Sequence, residues 1–128
     1  MSNKAVFGIA QSEGQAINIV EGARAEGFTS NDVSVLFPDK RGSRDFAHEQ
    51  HTKAPEGATA GAAAGGITGF LAGYGMPEYE AKQYEGKVKS GNILLSIHTE
   101  NGEEVSRAKE VFKRAGAEDI SYTGESRP

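Results

Sequence analysis

NILLSIHTENGEEVSRAKEVFKRAGAEDISY, residues 92–122, spells out a strand, a helix and a second strand in that order. Asn92 to Thr99 is strand length and largely apolar on both faces. Asn101 is placed to cap a helix, with Glu104 three residues on, the pattern in which a side chain and a backbone amide satisfy each other at a helix start. Val105, Ala108, Val111, Phe112 and Ala115 then recur at helical spacing, and Gly116 closes the helix by supplying a left-handed residue. Asp119-Ile-Ser-Tyr122 follows as the second strand.

The same order occurs once before. Ala5 to Ala10 (AVFGIA) is a strand, Ser12 is an N-cap with Gln15 three residues on, and Ala16, Ile17, Val20 and Ala23 form a helical stripe that Gly27 ends. Asp32-Val-Ser-Val35 echoes Asp119-Ile-Ser-Tyr122, and Pro38 stops the strand. Residues 5–38 and 92–125 are therefore two strand-helix-strand halves. Paired, such halves make a four-stranded antiparallel sheet with both helices on one face and the first and third strands central, the ferredoxin-like arrangement, an α+β fold. The chain of 128 residues, 13.5 kDa, suits a single domain spanning 1–128, since a second independent core would be hard to fill.

Residues 39–91 join the halves, far more chain than a hairpin needs, so this insert is expected to fold as helices. Seventeen of the residues are glycine, and Gly57, Gly61, Gly65, Gly69 and Gly73 fall at every fourth position with alanines between. On a helix, residues four apart lie nearly above one another, so these glycines trace a groove that another backbone can approach closely. Glycine disfavours a helix by about 1 kcal/mol relative to alanine, so something is expected to pack on the groove. Three occupants remain open at this point: the chain's own sheet or neighbouring helix, a second copy, or lipid. Gly8, Ala10, Ser34 and Ser96 are expected on one sheet face, leaving room for the first. Only Ile67, Phe70, Leu71 and Met76 in the uncharged stretch 57–77 are strongly apolar, so insertion into a membrane is weakly driven. Pro77 and the acids Glu78 and Glu80 open a further helix, with Ala81, Tyr84 and Val88 inward, Tyr79, Lys82 and Gly86 outward, and Gly91 as its closing residue.

Net charge −4 and a pI near 5.4 argue against a broad electrostatic grip on nucleic acid. With no cysteine there is no disulfide, thiolate metal site or thiol nucleophile. Met1 to Ala10 lacks the basic start and long apolar run of a secretion signal, so a cytoplasmic location is expected. His48 and His51 flank Glu49, and on a helix the two imidazoles at i and i+3 can share one divalent metal or contact a small ligand, but no third ligand is identifiable. His98 is expected on the sheet face opposite Ile93, Leu95 and Ile97, as a hydrogen-bonded structural residue. No nucleophile elbow, phosphate-binding loop or dinucleotide fingerprint occurs, so no catalytic residue, cofactor or enzymatic activity is expected.

His51-Thr-Lys-Ala-Pro-Glu-Gly-Ala58, Gly75-Met-Pro-Glu-Tyr-Glu-Ala-Lys82 with Tyr84-Glu85, Gly91-Asn-Ile-Leu-Leu-Ser-Ile-His98 and Ala115-Gly-Ala-Glu-Asp119 together resemble the YflT-like heat-induced or general stress protein family of bacteria. The resemblance covers nearly the whole chain in order. It implies a cytoplasmic protein made under general stress, without an established activity or catalytic residues to carry over. Similar proteins often have a longer, more hydrophobic Gly/Ala insert than this one. The expected role is therefore contact with a protein partner or with a second copy through the glycine groove, with the divalent-metal or small-ligand module at His48, Glu49 and His51 as the alternative.

Overall fold

The structure, a computed structural model, describes residues 4–29, 32–38, 66–72 and 75–123. Its elements in chain order are β1 (Lys4–Ala10), α1 (Glu13–Ala25), β2 (Val33–Leu36), α2 (Gly66–Ala72), α3 (Glu78–Lys89), β3 (Ile93–Thr99), α4 (Gly102–Arg114) and β4 (Glu118–Thr123).

Helix ends form where the local chemistry asks for them. The Ser12 hydroxyl accepts from the Gln15 amide at 3.2 Å, and the Gln15 side chain accepts from the Gln11 amide at 2.7 Å. At α4 the Asn101 side chain accepts from the Glu104 amide at 2.9 Å, and Glu104 accepts from the Glu100 amide at 2.8 Å. Both boxes thus close on the residue before the cap. Gly27, Gly91 and Gly116 take φ of 99°, 109° and 78°, and at each the glycine's own amide and the one after it turn back onto the last helical turn. Gly75, at φ 86°, does the same after α2, through Gly75 N–H to the Ala72 carbonyl and Met76 N–H to the Leu71 carbonyl.

The four strands form one antiparallel sheet in the order β2-β3-β1-β4, so the first and third strands are central, as expected. One face is covered by α1 and α4. Val6, Ala10, Val33, Val35, Leu95 and Ile97 of the strands meet Ile19, Val20, Val111 and Phe112 of those helices there. The other face is covered by α2 and α3, where Phe7, Ile9, Leu36 and Leu94 meet Ile67, Leu71, Ala81, Tyr84 and Val88. Both faces of the sheet thus carry a helical layer.

The small residues expected on one sheet face are divided between the two. Gly8 pairs with Leu95, and both lie on the α1/α4 side with Ala10; Ser34 pairs with Ser96, and Ser96 with Phe7, on the α2/α3 side. Alternation is fixed within a strand, but the match between strands depends on register, which is a tertiary property. Gly8 has a separate purpose. A Cβ there would come within 2.5 Å of Phe112 Cδ1, so the missing side chain is the seat of the Phe112 ring. Gly8 also lies opposite a bulge, where Asp119 and Ile120 of β4 fit between the partners of Phe7 and Ile9.

Candidate functional site

The glycine groove and the histidine cluster were the surfaces singled out by sequence. His48, Glu49, His51, Gly57, Gly61, Gly65 and Gly73 lie outside the described residues. Gly69 lies within α2, which docks through buried Ile67 and Leu71. Gly69 itself is exposed, and among the described residues a Cβ built on it would meet nothing within 4 Å. At this position the helix packs on the sheet by its branched side chains, and the glycine is on the open side. A Thr68 to Glu85 hydrogen bond of 2.6 Å ties α2 to α3, with Lys89 at 3.5 Å from the same carboxylate.

The densest polar constellation among the described residues joins α3 to the edge strand β4. The buried Tyr84 hydroxyl donates to the Asp119 carbonyl and stands 2.8 Å from the Ser121 hydroxyl. Its single proton is spent on the carbonyl, which can only accept, so Ser121 is the donor in the second bond. Lys87 pairs with Glu118 at 3.2 Å and Asp119 at 3.3 Å, and Gln11 reaches the other Glu118 oxygen at 2.8 Å. Asp119 has φ 53°, the sole left-handed residue other than glycine among the described residues. Aspartate tolerates that conformation better than most side chains, and the bulge requires it.

The electrostatics set what this constellation can do. Burial pushes the Tyr84 hydroxyl up to about 12, with the Glu80 and Asp119 charges adding to the shift and the Ser121 bond opposing it. A phenol held neutral so far above physiological pH is a hydrogen-bond donor, not a base or nucleophile. Lys87 is raised by its hydrogen bonds to Glu118 and Asp119, which hold it as a cation. The group therefore acts as a clamp between helix and strand. The signal for it in the sequence was a tyrosine on the inward stripe of α3, whose polar tip must find a partner when buried; its partner on β4 had no local signature.

His98 lies on the α2/α3 side, opposite Ala5 and away from Ile93, Leu95 and Ile97, with Nε2 at 2.7 Å from Glu100. Among the described residues no group of three histidines and carboxylates is placed to hold a metal ion, and no helix is long and apolar enough to cross a membrane. Comparison with protein-family models, with curated proteins and with solved structures finds no match for the chain.

Proposed function

We propose that the protein is a non-enzymatic bacterial general stress protein of the cytoplasm, with a ferredoxin-like core, that acts through protein contacts, self-association included. The strand order, with α1 and α4 on one face, supports the ferredoxin-like reading. Gly69 carries the contact reading: its helix is docked by the opposite side, so the glycine offers an outward surface on which a second backbone can lie closely.

Sedimentation across a wide concentration range tests it. The average mass should rise with concentration, and Gly69→Leu should weaken association tenfold or more while the helix content of the chain stays unchanged. A chain that remains monomeric at the highest concentration, and that captures no partner whose binding Gly69→Leu removes, rejects the proposal.

A further inference from the structure

Helix α3 carries two residues that packing among the described residues does not account for. Gly86 sits in the helix interior, where glycine is among the costliest choices. Its φ is not left-handed, and among the described residues a Cβ built there would meet nothing within 4 Å. Neither turn geometry nor close approach among the described residues calls for glycine. Tyr79, two turns earlier, is 70% exposed, the barest large apolar side chain among the described residues. Tyr79, Gln83, Gly86 and Ser90 follow the spacing of one helical face, and that face is uncharged although Glu78, Glu80, Lys82, Glu85, Lys87 and Lys89 crowd the rest of the helix. Beside Gly86 the surface forms a hollow bounded by Gln83, Lys87, Ser90 and Asp119.

We propose that this ridge is the contact surface for a second copy of the chain, with the two α3 helices antiparallel about a twofold axis beside Gln83 and Tyr79 of each copy seated in the hollow over Gly86 of the other. A twofold contact must be self-complementary. Here the knob lies four residues before Gln83 and the glycine of the hollow three residues after it, so one rotation about an axis beside Gln83 fills both. Charge selects the same arrangement. Glu78 is at the amino end of α3 and Lys87 at its carboxyl end, and with Tyr79 over Gly86 antiparallel packing sets the one opposite the other, whereas parallel packing sets like against like. An aromatic, charge-depleted centre with a charged rim is the composition of protein interfaces. One helix pair falls short of the roughly 1,200 Å² of a stable interface, so the dimer is a reversible one. This inference rests on the contact-based reading and names its partner.

The chain has no cysteine, so single cysteines report the geometry cleanly. Under mild oxidation Gln83→Cys, at the axis, should cross-link to a dimer at least tenfold faster than Glu103→Cys, an exposed position on α4 across the sheet. In sedimentation Tyr79→Ala should raise the dimer dissociation constant tenfold or more. Gly86→Leu should do the same while the melting temperature of the dilute monomer holds or rises, a split that a purely structural role for Gly86 would not produce. Equal cross-linking rates, or a dimer indifferent to both Tyr79→Ala and Gly86→Leu, overturns the proposal. If that indifferent dimer yields to Gly69→Leu, the contact-based reading survives and this surface is wrong; if the chain is monomeric throughout and has no partner, both fall.

Discussion

The two faces of the sheet are covered by helices built in different ways. On one side α1 and α4 each begin on a side-chain cap and bring a continuous stripe of medium and large apolar residues, Ile19 and Val20 from one and Val105, Val111 and Phe112 from the other. Polar groups lock the pair: Arg107 donates to the Glu26 carbonyl at 2.8 Å and lies over the Phe28 ring at 5.7 Å, and the Gln15 amide reaches the Ala115 carbonyl at 2.9 Å. On the other side α2 is a single short helix, and α3 starts at Pro77 without a side-chain cap. Their apolar contribution is Ile67, Leu71, Ala81, Tyr84 and Val88, and two of their outward positions are bare glycines. Much of their attachment is polar, through Thr68, Tyr84 and Lys87. Both layers are held by burial, but among the described residues the second brings fewer buried apolar side chains and its α3 has no side-chain cap, and local opening should begin there.

The largest effect should come from attacking the first layer at its centre. Phe112→Ala removes a fully buried ring and leaves the space over Gly8 unfilled, which should cost about 3–5 kcal/mol in denaturant unfolding. Gly8→Ala attacks the same contact from below and, by overpacking, should cost about 1–3 kcal/mol. Combined with Phe112→Leu, Gly8→Ala should cost less than the sum of the two single changes, because the clash disappears with the ring. Additive losses would mean that Gly8 is not there to seat Phe112.

Where the sequence was readable, the determinants were local. Ser12, Asn101, Gly27, Gly91 and Gly116 each act within one turn of chain, and each sits where its chemistry placed it. The stripes of α3 and α4 likewise follow from spacing alone, as does the opposition of His98 to Ile97. Properties set across distant strands were not readable. Alternation alone puts the small residues Gly8, Ala10, Ser34 and Ser96 on a common face, whereas the register between strands divides them. Asp32 and Asp119 looked equivalent in the repeated pattern, yet Asp32 caps the turn at Thr29 with a 3.0 Å bond to its amide, whereas Asp119 is inside β4 at the bulge. The Tyr84 clamp joins positions far apart in the chain, and no spacing rule reaches that far. The glycine period made a groove legible but not what lies on it, and at Gly69 the helix turns that side outward.

A smaller and more local effect is expected in the second layer. Leu71→Ala empties a fully buried site between α2 and the sheet and should cost about 2 kcal/mol. The sharper readout is hydrogen exchange. In the unmodified protein the α3 amides should open at lower free energy than those of α1 and α4, and Leu71→Ala should lower protection in α2 and α3 while leaving α1 and α4 nearly unchanged. Equal losses in all four helices would show that the faces unfold as one unit and would break the contrast.

The finest test removes one oxygen from the clamp. Tyr84→Phe keeps the ring against Phe7, at a centroid distance of 6.3 Å, but leaves the Asp119 carbonyl and the Ser121 hydroxyl without their partner. Near neutral pH the loss should be about 1 kcal/mol. The pH dependence separates this bond from simple packing. The folded hydroxyl titrates near 12 against 10.0 in the unfolded chain, so the unfolded state releases the proton first as pH rises. The stability this contributes is complete below pH 10 and is lost between pH 10 and 12, by about 3 kcal/mol at most. Tyr84→Phe has no such proton. The gap between the two proteins should therefore close within that interval and then change sign, and the α3 amides should report the closing before those of α4. A gap that stays constant to pH 12 would mean that the hydroxyl titrates as it does in water and that α3 is held to β4 by something other than Tyr84.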